Sequence, residues 1–137
     1  MISQSRESGQ NLVEFSMVMV MLLMVVFGVL DLGRAFFSVI TISNAAREGA
    51  RYLTNHPDDN LLSFSGTKTA VAEEAQGSIF NIEAGDIQVE CDDYDDTEGC
   101  DRGSAVRVTV NYQFNPIMGW IIQGPFTLSR SVEMIVP

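Results

Sequence analysis

Residues 15–30 read FSMVMVMLLMVVFGVL, without a charged side chain, and the apolar character reaches back to Leu12 if Glu14 is tolerated. As a helix, residues 12–30 are roughly 28 Å long at 1.5 Å per residue, close to a hydrocarbon core of about 30 Å. A domain this small can hardly enclose such a segment on all sides, so lipid is its natural solvent. A cleavable secretory signal fits poorly. The preceding MISQSRESGQNLVE is long and nearly neutral, and DLGRAFF follows Leu30 without a small-x-small cleavage site.

Helical periodicity continues past the apolar run. Ala35, Val39, Ile42, Ala46, Gly49 and Leu53 recur at spacings of four and three, which is one helix face. Arg47, Glu48 and Arg51 fall on the opposite, wet side, and Asp31 and Arg34 stand one turn apart. Asn55-His56-Pro57 ends the pattern, because proline lacks the N–H donor and disfavours helical geometry before it. The expected element is one long helix over 10–54, spanning the membrane over 12–30 and amphipathic over 31–54. Ala46, Gly49 and Ala50 would let a sheet or another backbone approach closely.

Beyond Pro57 the pattern changes. Residues 58–66 read as a loop and 67–80 as a short helix presenting Val71, Ala75, Ile79 and Ile82, weakened by Gly77. Ile87, Val89 and Cys91 alternate with polar residues, as do Val106, Val108, Val110, Tyr112 and Phe114: two half-buried strands. A third strand over 126–136 puts Phe126, Leu128, Val132, Met134 and Val136 on one face, with Arg130 interrupting it and indicating a bulge or an edge. NPIMGWIIQGP joins the last two. The fold expected is α+β: a long helix packed on a small antiparallel sheet of three to four strands, arranged as a meander, with one short extra helix.

Charge sharpens this division. The 137 residues carry a formal charge of -10, yet residues 1–54 hold four basic and four acidic groups. The whole excess therefore belongs to residues 55–137, an acidic domain that stays soluble while the first half is greasy. An acidic chain repels phosphate backbones, which argues against a nucleic-acid partner. Cys91 and Cys100 flank DDYDDTEG at the tip of the first hairpin. In an exported domain they most simply form a disulfide, free thiols being the alternative. Asp92, Asp93, Asp95, Asp96, Glu98 and Asp101 raise a calcium hypothesis, although their spacing lacks the calcium-loop pattern and a solvated acidic loop explains them as well. One histidine, no phosphate-binding glycine loop and no nucleophile signature leave no catalytic constellation, and no cofactor is expected.

Gly9-Gln10-Asn11-Leu12-Val13-Glu14-Phe15 followed by the apolar run resembles the class III signal of type IV pilins and pseudopilins. The further stretches DLGRAFF and NAAREGARY, and the later VRVTVNYQFNPIMGW, resemble TadE-like proteins, the minor pilins or pseudopilins of tight-adherence (Tad, or Flp) pilus systems. The resemblance implies a pilin-like fold with a leader over 1–9, cut by prepilin peptidase between Gly9 and Gln10, and an assembly role for Glu14 and Phe15. It also implies an acidic C-terminal domain displayed outside the inner or cytoplasmic membrane and carried to the cell surface in a thin pilus. Other pilin subunits, the inner-membrane platform and the lipid bilayer would be its partners. Major subunits of this pilus class are little more than the helix, so the length points to a minor component. The amine freed at Gln10 would offer Glu14 an ionic partner, on its own chain or a neighbour's; otherwise Glu14 reaches the headgroup layer. The rival reading is an unprocessed single-span membrane protein whose acidic outer domain binds a ligand or cation.

Overall fold

The computed structural model describes residues 4–76, 82–92, 94–95, 99–119, 121 and 123–137, with backbone alone for 4–8, 60–62, 94–95 and 99. A single helix, α1, occupies Gln4–Asn55, 52 residues or roughly 78 Å. It starts earlier than the sequence pattern indicates. Nothing over 4–9 stops a helix: there is no proline, and Gly9 costs only about 1 kcal/mol relative to alanine. Its end falls at the expected place, where Asn55 Nδ2 donates to the Arg51 carbonyl at 2.8 Å and the His56 N–H to that of Tyr52 at 3.0 Å, just before Pro57.

The expected loop over 58–66 is largely a 3-10 helix, Pro57–Leu62, followed by Ser63 and Phe64 in the left-handed region at φ 56° and 57°. The second helix, α2, spans Ser65–Ala75 and so begins two residues before the expected Thr67. Its cap explains the shift. Phe64 offers no side-chain cap, and Asp59, which is buried, supplies one from the preceding turn. Asp59 Oδ1 accepts the Gly66 N–H at 3.0 Å, and Oδ2 accepts the Thr67 N–H at 2.7 Å and its hydroxyl at 2.6 Å. A Cβ at Gly66 would come within 2.6 Å of Tyr52 Oη and 2.9 Å of Asp59 Oδ1, so a larger residue there must displace the Tyr52 ring and the capping carboxylate. Asp59→Ala orphans both N–H groups and is expected to cost about 2 kcal/mol, read as a lower urea midpoint of the detergent-solubilised chain. An unchanged midpoint would remove Asp59 from the cap. The remainder of the expected second helix, including Gly77, Ile79 and Phe80, lies outside the described residues.

Among the described residues five strands follow: β1 Ile87–Cys91, β2 Tyr94–Asp95, β3 Gly99–Cys100, β4 Ala105–Phe114 and β5 Phe126–Ile135. β1, β4 and β5 form an antiparallel sheet with β4 in the centre, and β2 pairs with β3 as a separate ribbon inside the first hairpin. The β4–β5 pairing is one-to-one from Ala105↔Ile135 to Phe114↔Phe126. Arg130 therefore marks no bulge. It stands opposite Val110 and is exposed because β5 is an edge strand, where a long charged side chain reaches water. On the outer face Glu90, Arg107 and Glu133 align across three strands. Arg107 Nη2 lies 2.8 Å from Glu133 and Nη1 3.7 Å from Glu90, and Glu133 foremost raises the guanidinium pKa.

The core lies where α1, α2 and the sheet meet. Ile42, Ala45, Ala46 and Ala50 of α1 pack with Val71 and Ala75 of α2, Ile87 of β1, and Val108 and Val110 of β4. A second cluster closes the far end with Leu53, Cys100, Val106 and Val136. Each fully buried Ile, Leu or Val contributes about 1.5–3 kcal/mol of apolar transfer, so this junction holds the small domain to its helix.

Candidate functional site

The candidate functional surface is α1, whose two halves meet different surroundings. From Gly9 to Leu30 every residue but the half-buried Gly28 is exposed. Leu12 is 68% exposed and Met21 70%. In water such a surface is untenable, whereas in lipid it is the expected one. By length and composition, α1 is one helix able to cross a membrane.

Within that exposed half, Gly9, Gln10, Glu14 and Phe15 all face outward. Among the described residues Glu14 has no ion pair and no side-chain hydrogen bond. A lone carboxylate at the end of a lipid-exposed helix is costly, which is why such groups acquire partners. A Cβ at Gly9 would meet nothing within 4 Å, so packing inside this chain does not require glycine there.

In the second half of α1 the domain covers one stripe. Ile42, Ala46, Gly49 and Leu53 are buried, and Ala35 and Val39 are half-buried. Ser38, Ala45 and Ala50 complete the stripe, with the Ser38 hydroxyl donating to the Arg34 carbonyl at 2.8 Å. Gly49 is the closest crossing. A Cβ there would collide with Val71 Cγ2 and approach Val108 Cγ1 at 3.3 Å, from α2 and β4 respectively.

The stripe starts at an acid, Asp31, that stands one turn from Arg34. Asp31 is 5% exposed, and its carboxylate grips the β4–β5 connector. Oδ1 accepts the Ile117 N–H at 2.8 Å, and Oδ2 accepts the Met118 N–H at 3.0 Å. These N–H groups open the turn that Gly119 closes by donating to the Pro116 carbonyl at 3.2 Å. Successive N–H groups in such a turn form an anion-holding nest. Arg34 lies 3.3 Å from Asp31 Oδ1 and 5.4 Å from the centre of the Phe114 ring, which packs on Phe126 at 5.2 Å. One acid on the helix thus secures the base of the sheet. A signal exists in the sequence, since Asp31 precedes Ala35 by four and continues the buried stripe. Its partners, 86 and 87 residues away, cannot be read from spacing.

Asp31→Asn keeps the shape but turns an amide donor toward one of two N–H donors. The expected result is a fall in Tm of roughly 5–10 °C for the detergent-solubilised chain. An unaltered melting curve would show that the connector is held by packing alone.

At the opposite end, Cys91 and Cys100 form a disulfide with Cα atoms 6.1 Å apart. Closing a loop of about ten residues contributes roughly 2–3 kcal/mol by restricting the unfolded chain. Of the calcium candidates, Asp93, Asp96 and Glu98 lie outside the described residues, as does the side chain of Asp95. Among the described residues, Asp92 and Asp101 included, no group of three His, Cys, Asp or Glu side chains converges.

No match was found among curated proteins or solved structures. Residues 9–51 match the family model described as TadE-like protein. That segment, less than half of the chain, runs from Gly9 through the exposed apolar half and nearly all of the buried stripe, and over it the chain is similar to the TadE-like family, a likeness that points to Tad pilus systems.

Proposed function

We propose that this chain is a minor pilin or pseudopilin, assembled into a Tad-type pilus or priming its assembly, rather than an enzyme. One observation carries the reading: a single helix is exposed over 12–30, Gly28 alone being half-buried, and then packs a compact acidic domain along one stripe. Such a subunit can be held in a bilayer and later withdrawn into a bundle of like helices without unfolding its domain. The family match over the same segment supports this role.

On this reading residues 1–9 are a leader on the cytoplasmic side, and prepilin peptidase cuts between Gly9 and Gln10. The open surroundings of Gly9 support a requirement imposed from outside the chain, since no atom of the fold stands against it. The C-terminal domain faces outward, where an oxidising compartment sustains the Cys91–Cys100 bridge. Glu14, exposed and unpaired among the described residues, is the group available to the amine freed at Gln10 or to a neighbouring subunit.

Intact-mass measurement on membrane-extracted protein tests the reading. Expected is a chain of 128 residues, the 137 less the leader of nine. A full-length chain from cells with active prepilin peptidase would refute processing and favour the unprocessed single-span alternative.

A further inference from the structure

The domain's two ends differ in charge. Residues 108–129, which hold most of β4, the connector and the start of β5, contain no Asp, Glu, Lys or Arg, although the chain carries a net -10. This charge-free stretch is the end nearest the apolar run. Asp31 comes one residue after that run, and its bonds to the Ile117 and Met118 N–H groups place the connector at its own level. The other end of β4 packs through Val106 with Leu53, 22 residues farther along α1, or roughly 33 Å. Asp92 and Asp101 adjoin the disulfide at that distant end.

At the near end apolar side chains are left in the open. Ile117 is 50% exposed, Ile121 46% and Phe126 39%, while Met118 between them is buried. On α1 at the same height Leu32 is 71% exposed and Phe36 67%. A bilayer boundary rewards exposed apolar groups and penalises charges brought close to the hydrocarbon. Ile117 and Ile121 have that character and continue the lipid-facing surface of the span.

We propose that the β4–β5 connector is a second membrane contact. Ile117 and Ile121 enter the interfacial layer of the bilayer into which α1 inserts, seated at the end of the span by the Asp31 carboxylate. The domain thereby rests on the membrane with its acidic end outward instead of swinging on the helix. The inference rests on residues 12–30 being the span.

Spin labels on the full chain, in vesicles of phosphatidylcholine and phosphatidylglycerol, test it. Single cysteines replace Ile117, Ile121, Val20 in the span and Arg102 at the far end; the native cysteines are joined to each other. Expected at 117 and 121 is greater collision with oxygen, which concentrates in lipid, than with a water-soluble nickel chelate, at depths between those of Val20 and Arg102. Labels at 117 and 121 as open to nickel as the Arg102 site, with Val20 in lipid, overturn the inference and leave the span standing. Shielding from both reagents means a second copy or another protein covers the patch, which also overturns it. An aqueous Val20 site overturns the span and the inference together. Asp31→Ala should raise nickel accessibility at 121 at least twofold, and no change would overturn the assigned seat.

Discussion

Glu14→Ala is expected to leave the protein in the membrane and to take it out of filaments. A carboxylate within a lipid-facing helix costs up to about 2.5–3.5 kcal/mol on insertion scales, less near a helix end, so removing it cannot weaken anchoring. What disappears is the only ionisable side chain of the exposed half between Gly9 and Leu30, and with it the partner for a positive group on a neighbouring subunit. Losing a contact worth about 1.4 kcal/mol reduces incorporation roughly tenfold, and repetition at each subunit deepens the loss. Immunoblots of sheared filaments against the membrane fraction read the effect. Glu14→Gln should fail similarly, because an amide has the size but not the charge. Equal incorporation of wild type and both variants would refute the assembly role of Glu14, and absence of all three from filaments would favour the unprocessed single-span reading.

Gly49→Leu should give the largest loss of stability. The position admits no Cβ without displacing Val71 Cγ2, and Val71 is fully buried. A β-branched side chain in a helix has one strongly preferred rotamer, so Val71 has little room to turn away. Val108 blocks the sheet side at 3.3 Å. Overpacking of this kind costs typically 1–3 kcal/mol, and leucine, adding four carbons at a crossing of α1, α2 and β4, should reach or exceed about 3 kcal/mol. Gly49→Ala is milder, because a helix-propensity gain of about 1 kcal/mol offsets part of the collision. Gly33→Ala is the control, since a Cβ there meets nothing within 4 Å. Denaturant unfolding of the solubilised chain should rank Gly49→Leu far below wild type and Gly33→Ala at or above it; the reverse order would disprove close packing at Gly49.

Together these substitutions separate the two duties of α1. On the proposed reading Glu14 bears on contacts between subunits and Gly49 on contacts within one, so the first should alter assembly at constant stability and the second stability before assembly. Asp31 stands between them, in the fold through the connector and, on the proposed reading, at the bilayer boundary through its place after Leu30.

Local patterning alone determined the long helix, its apolar half, its end before Pro57, the buried stripe and the alternation of the main strands. These follow from periods of 3.6 and 2, which each segment carries without reference to the rest of the chain. The cysteine pair was equally legible, nine residues apart across one hairpin. Three-dimensional packing alone decided what the acids do. Asp59 looked like part of a loop and is the cap of α2, and Asp31, which spacing set one turn from Arg34, is the anchor of β4 and β5. The edge position of Arg130 likewise depends on which strand occupies the centre of the sheet. A carboxylate's role is set by the N–H groups that reach it, and when those come from far along the chain no local period records them.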